Sequence, residues 1–231
     1  MPDKPRGTII FDLDGTLVDS APDLADALDW LLTEMGYQPL GLNKVRQLIG
    51  HGMAELVRKG LEARGAQLEA QVLARAVERF LEYYTANLSR KSKAYPGTAE
   101  VLNALQKAGW RLVVCTNKLE ANARLLLRDL GLLTAFELVA GPDTFGAAKP
   151  DPAHLLGCLP LGNPASRPAI MIGDSEVDVA AAKAAGLPVI AVTWGYYQKD
   201  ISELAPDAVA HNMQEVPALI DRLMQQNDAV D

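Results

Sequence analysis

Apolar and polar positions divide the chain into two patterns. Near the start, residues 8–11 form a short apolar run, Thr8, Ile9, Ile10 and Phe11, which predicts a buried strand. From residue 20 to 93 the apolar positions recur at helical spacing. Leu24, Ala27, Leu28, Leu31 and Leu32 carry one helix to about Gly36, and residues 42–49, 53–64 and 68–88 predict three more. No strand is expected between residues 20 and 94. Ser20, Pro22 and Asp23 read as the cap and first turn of the first helix.

After Gly97 the pattern changes to alternating helices and short apolar runs. Helices are expected over residues 98–108, 119–130, 152–159, 177–185 and 216–224. Strands are expected over 111–115, 136–139, 169–172 and 189–192, with a short last one at Ala208 and Val209. Such alternation predicts a Rossmann-like, mostly parallel α/β sheet covered by helices. The first strand belongs to that sheet. The helical block is therefore expected to be an insertion after strand one, an all-α cap of residues 20–93 on a core of residues 1–19 and 94–231. Residues 91–97, which include Pro96 and Gly97, read as the returning hinge, and residues 225–231 as a frayed end.

Composition narrows the choice of function. With 231 residues, 49% of them hydrophobic, the chain can bury a sizeable core. A formal charge of −7 argues against nucleic acid or an anionic membrane as partner. No apolar run approaches the ~20 residues a bilayer requires, and residues 1–6 lack the apolar centre of a signal peptide, so a cytoplasmic protein is expected. Cys115 and Cys158 stand in no paired or metal-type spacing and read as reduced core thiols.

Chemistry collects where the expected strands stop. The first ends in Asp12, Leu13, Asp14, Gly15 and Thr16, at the carboxyl edge where open α/β sheets gather ligands. Gly15 allows positive φ and close approach of a ligand to the main chain. The strand before Cys115 runs into Thr116, Asn117 and Lys118, and Thr116 is a candidate helix cap. Another runs into Gly173, Asp174, Ser175, Glu176 and Asp178, whose three acids repel unless a cation or hydrogen bonds relieve them. Between these, prolines hold Lys149 in a stiff loop, where it can serve as a counter-charge.

These four stretches, Asp12 to Thr16, Thr116 with Asn117, Lys149 to Pro152, and Gly173 to Asp178, resemble the four ordered motifs of the haloacid dehalogenase-like superfamily. The match spans nearly the whole chain, and the helical block is similar to that family's small α-helical cap. The resemblance implies a phosphatase. Asp12 matches the nucleophile that forms an aspartyl-phosphate, and Asp14 the general acid and base. Asp12, the backbone carbonyl of Asp14, and Asp174 match ligands of Mg²⁺, with Asp178 and Ser175 supporting that shell. Thr116 and Lys149 complete the expected catalytic set, and Gly15, Thr16, Asn117 and Lys118 the phosphate-binding one.

Residues 45–57, with Gly50 and Gly52 flanking His51, are similar to the cap segment of bacterial phosphoglycolate phosphatases, and Arg46 could fork onto the carboxylate of such a substrate. Other esters remain open, namely sugar phosphates, nucleotides or pyrophosphate, as do a phosphosugar mutase and a non-catalytic partner-binding protein. A monomer or a homodimer is expected. His51 reads as an exposed loop residue, and His154 and His211 show no ligand spacing. Trp30, Trp110 and Trp194 read as packing residues, and Tyr196 with Tyr197 as an entrance or a turn rim.

Overall fold

A computed structural model describes residues 6–67, 69–160, 168–196 and 201–228. The expectations that fall on residues 1–5, on Leu68, on Tyr197 and on residues 229–231 lie outside these. Strands β1 (Thr8–Phe11) and β2 (Val18–Asp19) precede four helices, α1 (Ala21–Glu34), α2 (Leu42–Arg46), α3 (Met53–Glu62) and α4 (Ala70–Asn87). The chain returns through β3 (Lys93–Ala94) and α5 (Thr98–Lys107), then β4 (Arg111–Cys115), α6 (Glu120–Asp129) and β5 (Leu138–Ala140). After α7 (Pro142–Phe145) and α8 (Pro152–Gly157) come β6 (Ala169–Gly173), α9 (Glu176–Ala184) and β7 (Val189–Val192). The chain closes with α10 (Ile201–Leu204), β8 (Ala208–Ala210) and α11 (Val216–Asp228).

Six strands form one parallel sheet in the order β5-β4-β1-β6-β7-β8. β1 lies inside it, with Ile10 level with Val113 on one side and Met171 on the other. Its four side chains are all buried because helices cover both faces, which is why the strand reads as a continuous apolar run. Alternate residues serve opposite faces: Ile9, Phe11, Leu112, Val114 and Ile172 join one apolar cluster, and Ile10, Val113, Cys115 and Met171 another. The first cluster continues without a break into the interior of the helical block through Leu24, Leu28, Leu56 and Phe80.

Several local expectations are corrected. The block is entered and left through an antiparallel ribbon of β2 and β3, in which Val18 faces Ala94 and Asp19 faces Lys93. Two residues per strand are too few to show a period. Ser20 does not cap α1 with its side chain. Its hydroxyl bonds Asp14 instead, while Asp23 accepts from the backbone N–H groups of Lys91 and Ser92 and from the Ser92 hydroxyl. The helix expected through residue 49 ends at Arg46, and a turn follows as far as Gly50. Thr116 caps nothing, because α6 begins only at Glu120. The expected strand over 136–139 is displaced to Leu138–Ala140 by a 3₁₀ turn at Leu133–Ala135. At the other end residues 225–228, expected to fray, belong to α11. No helix among the described residues is long and apolar enough to cross a membrane.

Candidate active site

β1 stops where its pairing does. The Asp12 N–H donates to Ile172 O at 2.9 Å, the last such bond on that side, and the chain then turns so that Gly15 N–H reaches Val18 O at 2.8 Å. Gly15 takes φ +92°, and a Cβ there would come within 2.3 Å of Asp174 Oδ2. The turn therefore needs glycine twice, for its backbone and for the closeness of the acid. β6 ends against the same turn and delivers Asp174, while β4 delivers Thr116 to Lys118. Lys149 comes from the loop before α8. Asn117 clamps that loop by donating to Lys149 O at 2.9 Å and accepting from Lys149 N at 2.9 Å.

At the centre Lys149 Nζ lies 2.8 Å from Asp12 Oδ1 and 2.6 Å from Asp178 Oδ1, with all three side chains buried. Carboxylate oxygens of Asp12, Asp174 and Asp178 lie within 4.8 Å of one another. One ammonium contacts this cluster of three acids, so negative charge is in excess. Burial above all, offset in part by Lys149 and reinforced by Asp178, lifts the Asp12 carboxyl from 3.8 to about 7. Burial, with Asp12 and Asp178 adding to it, pushes Asp174 well above the usual range. Burial alone would lower the Lys149 ammonium, but Asp12 and Asp178 more than reverse that and raise it. Such excess is what a divalent cation relieves, and an all-oxygen, carboxylate-rich donor set fits a hard cation of the Mg²⁺ type.

The remaining bonds orient these acids. Asp174 Oδ1 accepts from Thr16 Oγ1 at 3.0 Å and Oδ2 from the Tyr196 N–H at 2.7 Å. A Cβ on Gly195 would fall 2.2 Å from Asp174 Cβ, so the loop after β7 presses directly on this side chain. Asp178 Oδ2 accepts from the N–H and hydroxyl of Ser175, leaving Oδ1 to Lys149. Asp14 lines the same cleft. One of its oxygens accepts from Ser20 Oγ, and Oδ2 lies 2.6 Å from Lys118 Nζ, whose side chain is fully buried. Thr116 Oγ1 accepts from Lys118 N–H at 3.2 Å.

Asp12, Asp14, Thr116, Asn117, Lys118 and Lys149 share one cleft with a wall from the helical block. That wall is Leu24, Ile49, Gly50, Gly52, Met53 and Leu56, and Asn117 Nδ2 reaches across to Gly50 O at 3.1 Å. Three expected ligand-binding side chains have partners within the protein. Thr16 turns inward to Asp174. Lys118 spends its charge on Asp14. Arg46 does not line the cleft; it pairs with Asp19 of the β2–β3 ribbon at 2.7 Å and lies 6.0 Å from the Tyr196 ring centre. Ser20, Gly195 and Tyr196 escaped the sequence reading as supports of the site. Tyr196 donates from its hydroxyl to Asp19 Oδ1 and accepts from Ala21 N–H, so it joins Asp174 to the hinge. Ser20 reads in the sequence as a helix cap and Tyr196 as an entrance or a turn rim, and nothing in the sequence ties either to an acid of the site.

Residues 9–192 match the model of the haloacid dehalogenase-like hydrolase family, and the chain belongs to that family. It is an enzyme, a phosphatase of that family. Among relatives, a phosphoglycolate phosphatase of Mesorhizobium japonicum is 39% identical over 95% of this chain and 97% of its own length. One of Caulobacter vibrioides is 43% identical over 91% and 89%. A solved structure described as a predicted phosphoglycolate phosphatase from Haemophilus somnus superposes with a TM-score of 0.85 at 29% identity, covering 93% of this chain and 97% of that one.

Proposed function

We propose that the protein is a Mg²⁺-dependent phosphomonoester hydrolase that works through an aspartyl-phosphate on Asp12, with 2-phosphoglycolate as its substrate. The observation that carries this reading is the buried Asp12 carboxylate, 2.8 Å from Lys149, at the floor of a cleft that Asp14 also lines. Asp12 attacks phosphorus, the P–O bond to the leaving group breaks, and Asp14 gives that oxygen its proton. Asp14 then takes a proton from the water that hydrolyses the acyl phosphate, which restores Asp12 and releases phosphate. Lys149 and the Thr116 hydroxyl face the phosphoryl oxygens, where transition-state charge is spread.

Asp12, Asp174 and the backbone carbonyl of Asp14 would hold Mg²⁺, with Asp178 and Ser175 orienting the shell. When bound, the ion neutralises phosphoryl charge that the acids would otherwise repel. The leaving group faces the apolar, glycine-containing wall of the cap. The choice of 2-phosphoglycolate rests on relatives at 39% and 43% identity that are named phosphoglycolate phosphatases. We place the enzyme in the cytoplasm, in keeping with two buried, unpaired cysteines.

A panel of phosphate esters, assayed with Mg²⁺ and with chelator, tests this. Mg²⁺-dependent phosphate release with 2-phosphoglycolate first by kcat/KM is the expected result. Release from no ester would end the phosphatase reading, and a low rank for 2-phosphoglycolate would end the choice of substrate.

A further inference from the structure

Asp14 is held from the cap and from the core. Ser20, the residue before α1, donates its hydroxyl to one oxygen, and Lys118 takes the other. Behind Lys118 stands Tyr84 of α4, fully buried, with its ring centre 5.0 Å from Lys118 Nζ. The Phe80 ring stacks on that of Tyr84 at 5.8 Å between centroids. The Tyr84 hydroxyl is buried and has no hydrogen-bond partner among the described residues. An orphan phenol is a cost that phenylalanine would avoid, unless the oxygen serves a state of the site other than this one.

Lys118 supplies that state. Its ammonium has three donors in a site closed to solvent, and Asp14 Oδ2 occupies one of them. When Asp14 turns toward a leaving-group oxygen, this ammonium loses its carboxylate partner. It then needs another acceptor and a π-face to remain where it is. Tyr84 presents both, and it belongs to the cap, so this contact joins the cap to the core.

We infer that Tyr84 is a positioning residue for proton transfer: through Lys118 it holds Asp14 in register with the leaving group, and it does so only with the cap closed. The inference rests on Asp14 being the proton carrier of the proposed function. It makes the seating of the helical block part of acid catalysis as well as of substrate selection. It also gives Lys118 a role distinct from binding phosphate.

The test compares kcat/KM for the best alkyl phosphate of the panel with that for 2,4-dinitrophenyl phosphate, whose leaving group needs no proton. Tyr84→Leu should lose about tenfold on the alkyl ester and less than about twofold on the aryl ester. Tyr84→Phe, which keeps the ring, should lose about threefold with the same selectivity. If Tyr84→Leu does not fold, as judged by thermal melting, Tyr84→Phe carries the test alone. Equal losses on both esters, or none, overturn the inference, provided that Asp14→Asn in the same assay spares the aryl ester. If Asp14→Asn fails to spare it, or wild type cleaves neither ester, the functional reading falls and takes the inference with it.

Discussion

On the sheet side of the cleft Asp12, Lys118 and Lys149 are buried charges and Asp14 a half-buried one, each paired at 2.6 to 2.8 Å. On the helical side Leu24, Ile49, Gly50, Gly52, Met53 and Leu56 present no charged side chain. Arg46, a cation of the helices, is 41% exposed at its side chain and turned to Asp19. Breaking a buried, networked pair costs about 3–5 kcal/mol because it strands a charge. An exposed pair such as Arg46 with Asp19 is worth about 1 kcal/mol or less. The sheet wall is therefore rigid in its electrostatics, as phosphoryl chemistry requires. The helical wall can change its leaving-group preference by repacking, without disturbing a charge.

The contrast can be broken at several points. The largest effect belongs to Asp12→Asn, which should lower turnover by about 10⁴-fold or more. The same variant should melt higher than wild type when divalent cations are absent. The folded chain holds a proton on Asp12 up to about pH 7, whereas a free carboxyl loses it near 3.8. Between those values the folded state binds the extra proton, so wild-type stability falls as pH rises through the window. Melting curves in chelator from about pH 4 to about pH 8 should show the gap opening with pH; a gap independent of pH would contradict the burial argument.

Next is Asp174→Asn, which should abolish the rise in thermal midpoint that Mg²⁺ produces in wild type. A retained Mg²⁺ shift would place the ion elsewhere. Gly195→Ala puts a Cβ 2.2 Å from Asp174 Cβ and should weaken Mg²⁺ binding about 10- to 100-fold while the fold persists. Calorimetric titration of the metal measures this, and unchanged affinity would mean that the loop yields. The smallest effect is expected of Arg46→Ala. Because the guanidinium pairs with the hinge, KM for 2-phosphoglycolate and for an aryl phosphate should shift alike, each by less than about threefold. A selective rise for phosphoglycolate would return Arg46 to carboxylate recognition and give the helical wall a charge after all.

The alternation of apolar runs made the sheet legible, because a strand buried on both faces is written as consecutive residues, as in Ile9 to Phe11. The cleft floor was legible for a related reason. Asp12, Thr116 and Asp174 each follow directly on a strand, and parallel strands bring such positions to one edge. Lys118, Thr16 and Arg46 were less legible, since a lysine or arginine reveals its charge in the sequence but not its partner. Asp14, Asp174 and Asp19 lie 104, 158 and 27 residues from those side chains. Ser20 shows how a local rule can be outbid: its hydroxyl and the Asp23 carboxylate look like a cap and its first turn, yet both are spent on tertiary contacts.

Sequence alone determined the alternation of the six sheet strands with helices, the inserted helical block, and which acids stand at strand ends, because those features depend on neighbours a few residues apart. Only the tertiary structure decided which charges meet. It assigned Lys149 to Asp12 and Asp178, Lys118 to Asp14, and Arg46 to the hinge rather than the cleft. It also placed Tyr84 behind Lys118. The physical reason is burial: within a closed site a charge takes whatever partner the packing brings within 3 Å, and packing is a property of the folded chain.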